Sequence, residues 1–333
     1  MSHDHTSPMR LRTPGDLLAA VPYLLGFHPT DSLVIVGLTG NKITVAGRAD
    51  LPQRAQMTAW VDGAAAQHLS MLRGVGATAA VVAGYGPAAA VTPVIDALTP
   101  RLHAAGISIL DTLRVTDGRY HSYQCHDPAC CPADGVPFDA VSSATAVHAI
   151  VAGHSALPDR AALVASLAPI SGPARDAVTA ATRRARERRL TAYTAGGRAA
   201  VIREGKKAVR EAFARYATEQ VLTDDEVAWL SVLLTDVAVR DAAWQATHSE
   251  ASHLALWTDL TRRVEPDLAA APASLLAFTA WHAGLGALAS VALDRAQAAE
   301  STYPLAHLID RLLREGIPPA ALDGWPAVDG PRP

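Results

Sequence analysis

The feature that most constrains this chain is the place where its strand-like runs stop. Short apolar, β-branched segments recur through the first half: Leu33 to Leu38, Thr78 to Ala83 and Ile107 to Val115. Past Pro158 no such run recurs, and apolar residues fall at helical spacing instead. A chain patterned in this way builds a sheet from its first half and a helical assembly from its second.

The first half reads in order as β-β-α-β-α-β-β-α. A short helix over 14–25 precedes it, and Gly26 ends that helix. Thr39-Gly40-Asn41 is turn chemistry between Leu33–Leu38 and an alternating strand over 42–47, which makes a β-hairpin. Pro52 opens a helix to about Arg73, and Pro87 one to about Ala105. A strand over 107–115, the turn Thr116-Asp117-Gly118 and a partner strand over 119–123 make a second hairpin, and 140–152 is helical. That order predicts an α/β domain with a mixed sheet covered by helices. The dinucleotide-binding glycine motif is missing after the first strand, so a pure Rossmann topology is not expected.

The second half predicts helices over 158–169, 173–195, 198–220, 224–246, 250–264, 272–284, 286–299 and 304–315. Gly172-Pro173, Gly196-Gly197, Thr223-Asp224 and three prolines separate them. Two domains follow, 10–155 and 156–320. Ala280, Ala292, Ala299 and Pro304 have tetratricopeptide-like spacing, so the C-terminal helices are expected to end in a hairpin of that kind.

Half of the 333 residues are hydrophobic and 18% are charged, a globular balance. A net charge of -3 gives no reason to invoke a nucleic-acid or membrane partner. Pro22 interrupts the apolar stretch Leu17–Leu25, so no secretory signal is expected, and no uncharged run reaches the ~18 residues of a membrane span. Cytoplasm is the expected location. His3 and His5 lie in a polar tail expected to be disordered, with only a weak metal-binding pattern.

All three cysteines, Cys125, Cys130 and Cys131, fall within R-Y-H-S-Y-Q-C-H-D-P-A-C-C-P-A-D-G-V-P-F, residues 119–138. Thiolates and imidazoles are the ligands of tetrahedral zinc, and His126 or His121 would supply a fourth donor. The spacing is not that of a two-residue zinc knuckle, and the side chains of adjacent cysteines are expected to diverge. Asp127-Pro128 and Cys131-Pro132 stiffen the loop. A loop disulfide, a redox-active thiol and inert packing stand beside the metal reading.

A second candidate site is a ligand pocket of Phe27, His28, Asp31, Ser32, Arg48 and Asp50. The start of the first strand and the end of the second lie together in an antiparallel hairpin. These groups suit anion binding or acid–base chemistry, or else a structural network. Gly84-Tyr85-Gly86-Pro87 reads as a tight turn. Residues 175–215 hold 12 Lys or Arg against 4 Asp or Glu, a nucleic-acid footprint or a helix face packed on the acidic segment 224–241. The leading functional expectation is a binding or interaction module that presents its helical half to a protein partner, with the cysteine loop as a clamp. An enzyme or sensor built on the Phe27–Ser32 pocket is the alternative.

Three stretches carry a resemblance: L-L-G-F-H-P-T-D-S-L-V-I-V-G-L, S-Y-Q-C-H-D-P-A-C-C-P-A-D-G, and L-L-A-F-T-A-W-H-A-G-L-G-A-L-A-S-V-A-L-D-R-A. Together they resemble the actinobacterial family called domain of unknown function 4192, over about Arg10 to Pro319. The resemblance implies an intracellular actinobacterial protein and names no reaction. It places Gly26, Phe27, Pro29, Ser32, Arg48, Asp127, Pro128, Cys130, Cys131 and Pro132 in the family pattern, and holds His28 and His126 less firmly.

Overall fold

The computed structural model describes residues 11–322. His3 and His5 lie outside the described residues. The chain divides into two compact units, one running to Leu163 and including Arg314–Pro318, the other Val164–Leu313 with the segment from Pro319.

The first unit is an α/β domain around a mixed sheet. Its elements are α1 (Pro14–Leu25), β1 (Ser32–Thr39), β2 (Lys42–Asp50), α2 (Met57–Gly74), β3 (Ala79–Tyr85), α3 (Ala88–Ala104), β4 (Ser108–Thr116), β5 (Arg119–Ser122), β6 (Val136–Pro137) and α4 (Ala144–Val151). The six strands lie in the order β2-β1-β3-β4-β5-β6. Only β3 and β4 are parallel, joined through α3; every other neighbouring pair is antiparallel. The two expected hairpins are present. The helix expected from Pro52 begins later, as a 3-10 turn over Arg54–Gln56 leading into α2. β6 was not legible in the sequence, because two residues carry no alternation to read.

Strand register decides which side chains share a face. Leu33, Ile35, Ala80, Val82 and Ile109 pack with Ala65 and Leu72 of α2 and Val91, Val94, Ile95, Leu98 and Leu102 of α3. These helices sit close to the sheet because three positions on that face are glycine. A Cβ at Gly37 would lie 2.5 Å from Leu72, one at Gly47 2.6 Å from Met71, and one at Gly84 2.2 Å from Val91. On the opposite face α1 packs on β2 and α4. Thr13 starts α1 with a reciprocal capping box to Asp16.

The second unit is all-helical: α5 (Arg160–Ser166), α6 (Pro173–Ala217), α7 (Asp224–Leu233), α8 (Val237–Gln245), α9 (Ala251–Arg263), α10 (Ala270–His282), α11 (Gly286–Ala299) and α12 (Pro304–Arg314). α5 begins before the boundary between the units. Gly196 (φ -153°) and Gly197 (φ 62°) break α6 where the sequence places its breakers. The single helix expected over 224–246 is two. Asp236 caps α8 by accepting from the Ala238 N–H, and Arg198 binds the same carboxylate at 2.7 Å. Trp257 is fully buried and donates its indole N–H to Thr247. Among the described residues no helix is long and apolar enough to cross a membrane.

Gly84→Ala should cost about 1–3 kcal/mol through overpacking. Chemical denaturation measures it. Combining it with Val91→Ala, which removes the colliding methyls, should cost less than the sum of the two single changes.

Candidate functional site

The cysteine loop spans residues 123–135 between the antiparallel strands β5 and β6. Its entry is tied to β4 and to α3. The Tyr123 N–H donates to the Thr112 carbonyl at 2.9 Å, and the Tyr123 hydroxyl bonds Thr92 at 2.6 Å. Ser122 donates to Asp111 at 2.7 Å and accepts the N–H groups of Gln124 and Cys125, both at 3.1 Å. Partial burial raises the Asp111 pKa, against the lowering pull of the hydrogen bonds it accepts from Ser122 and from the Thr112 N–H.

Asp127 then turns the chain back. Its carbonyl accepts the N–H of Cys130 at 3.1 Å and of Cys131 at 2.7 Å, while its carboxylate accepts that of Ala129 at 2.9 Å. Pro128 has no N–H to satisfy in this turn. The exit is fixed by a turn from Pro132 to Gly135 and by Arg119. That guanidinium donates to the Asp134 and Gly135 carbonyls and pairs with the Asp134 carboxylate at 2.6 Å. Gly135 has φ +82°, and a Cβ there would lie 2.7 Å from the His121 imidazole.

These restraints bring the three Sγ atoms within 4.8 Å of one another. Adjacent Cys130 and Cys131 therefore both reach the cluster, against the expectation that they diverge, because the Asp127 turn curls both residues back over Cys125. A zinc ion about 2.3 Å from each of three sulfurs in tetrahedral geometry needs them about 3.8 Å apart, which this grouping accommodates. His121 and His126 are not members of the group. His121 lies in β5 against Gly135, its pKa lowered first by burial and then by Arg114 and Arg119. His126 is exposed.

Charge cannot spread evenly over three close thiols, because ionising one opposes ionising the next. Cys125 sits below the ordinary thiol range, chiefly because Cys131 donates to it and secondly because the Asp127 N–H does. Cys131, donating to Cys125, is pushed up to about 12. A bound dication is the partner that would let all three ionise together.

Four of the six residues of the second candidate group, Phe27, Ser32, Arg48 and Asp50, meet. Ser32 pairs with Asp50 and Val34 with Arg48 across the hairpin. Arg48 donates to Ser32 at 2.9 Å, pairs with Asp50 at 2.5 Å, and lies over the Phe27 ring at 5.9 Å. Ser32 is fully buried and also donates to the Thr30 carbonyl. Asp31 adopts φ 43°, which its short polar side chain tolerates, and its carbonyl accepts the Leu51 N–H. His28 engages Leu157 through its backbone N–H. The cluster thus ties β1, β2 and the preceding turn together. At Gly84-Tyr85-Gly86-Pro87, the Gly86 N–H is already given to Val115.

Five of the twelve Lys and Arg in the basic stretch pair with acids outside it. Arg184, Arg198 and Arg215 pair with Asp225, Asp236 and Glu226, while Arg175 and Arg186 pair with Glu265 and Asp267. Three of these five contacts lie on the acidic segment 224–241, as the packed-helix reading expects, while Glu265 and Asp267 lie beyond it. One feature escaped the sequence reading. Beside the α6 break, Arg188 lies 3.9 Å over the Trp229 ring and pairs with Glu204, at an open cavity of about 520 Å³.

The profile of a family described as domain of unknown function (DUF4192) matches residues 14–320. No curated protein and no solved structure matches the chain.

Two outcomes follow from this geometry. Arg48→Ala leaves buried Ser32 short of a partner and should lower stability by about 1–3 kcal/mol in denaturant unfolding. Limiting iodoacetamide near neutral pH should alkylate Cys125 ahead of Cys131, as read by peptide mass spectrometry; the reverse order would refute the thiol assignment.

Proposed function

We propose, from the premise that this chain belongs to the DUF4192 family, that it is a binding protein whose cysteine loop holds a thiophilic metal ion, zinc foremost. The observation that carries this reading is the convergence of Cys125, Cys130 and Cys131 to within 4.8 Å. Soft sulfur donors select zinc, copper(I) and iron–sulfur chemistry over hard cations. The three thiols are free, and Cys130 is exposed, which suits a reducing compartment and supports a cytoplasmic protein.

The helical unit is the partner-facing half in this reading. Its α10–α11 pair supports a tetratricopeptide-like hairpin, with Ala280 and Ala292 fully buried on the paired helices. Small side chains of this kind let helices approach closely. The Arg48 cluster is a structural tie in this reading, since Arg48 Nε and Nη2 engage Ser32 and Asp50.

Elemental analysis of protein purified under reducing conditions should find one zinc per chain, lost in Cys125→Ser and in Cys131→Ser. Zinc added to metal-free protein at ~100 times its Kd should stabilise the fold by about 2.7 kcal/mol, visible as a raised Tm. No bound metal, and a Tm indifferent to zinc and chelator alike, would leave the thiols to a disulfide or to packing.

A further inference from the structure

Resting on the metal reading, we infer that the ion held by Cys125, Cys130 and Cys131 keeps one coordination position open, and that a small thiol from solution fills it as an exchangeable fourth ligand.

Three sulfurs converge, and among the described residues no histidine or carboxylate atom belongs to the group. Several polar groups of the loop are engaged elsewhere. The Asp127 carbonyl is taken by two backbone N–H groups, and its Oδ1 by a third. Asp134 is paired with Arg119, and His121 is packed against Gly135. The cluster is not sealed from solvent, because Cys130 is exposed. Zinc sites of structural type are closed by four protein ligands, whereas three protein ligands with a free position mark a site that takes an outside molecule.

The loop's shape has support besides any ion. Asp127, Ser122 and Arg119 hold it through hydrogen bonds to backbone groups. A cation already bound by three thiolates is best matched by another soft donor, which selects a thiol over a carboxylate.

Cobalt(II) makes the coordination visible, since each thiolate bound to it adds charge-transfer absorbance. Metal-free protein titrated with cobalt(II) should show that band at one equivalent, and 2-mercaptoethanol should then raise it by about one third, the step from three sulfurs to four. The same rise is expected in His126→Ala, and the loaded protein should sediment as before. A full-strength cobalt band that 2-mercaptoethanol leaves unchanged would overturn the open position alone, as would a band altered by His126→Ala or a cobalt-dependent change in oligomeric state, which would supply the fourth ligand from this chain or from a second copy. No thiolate band at any cobalt concentration would remove the metal reading and this inference together.

Discussion

The site depends on one residue's hydrogen bonding, that of Asp127. Its backbone carbonyl takes two N–H groups and its side chain a third, so the five residues between Cys125 and Cys131 close on themselves. Without that turn the two neighbouring cysteines would leave the chain in different directions. With it, three thiols meet on a surface loop that has no hydrophobic core of its own. Pro128 and Pro132 lower the conformational freedom the loop must give up to take this shape.

The sheet supplies the anchor points. Asp111 on β4 reaches Ser122 on β5, which in turn receives the backbone of Gln124 and Cys125. Arg119, also on β5, holds the far end of the loop. The strands themselves are positioned by the packing of α2 and α3 onto a face where glycines admit close approach. A chain of contacts thus runs from the buried core, through polar side chains at the end of the strands, to the sulfurs.

The helical unit shows how charge on a sequence differs from charge on a surface. A run with three times as many bases as acids invites a nucleic-acid reading, yet Arg184, Arg198 and Arg215 meet acids on the following helices. The exposed pairs among these, Arg184–Asp225 and Arg215–Glu226, add little stability. Their effect is to neutralise one another across the helix contact. The Arg188–Trp229 stack places a further cation on an aromatic face while its side chain stays largely exposed.

Much of the architecture was legible in the sequence alone. Both hairpins, the mixed sheet covered by helices, the glycine break in α6 and the helical second half follow from local patterns, because apolar period, turn residues and breakers act over a few positions. The Ser32–Arg48–Asp50 grouping was also readable, since hairpin register carries it. Those same local signals settled where the thiols lie in the chain, but not whether they would meet. That was decided by tertiary structure: a carbonyl capturing two N–H groups, a serine tied to a neighbouring strand and an arginine spanning the loop are contacts between residues whose spacing has no period to detect. The split of α7 from α8 has the same origin, an arginine on another helix securing Asp236 as a cap.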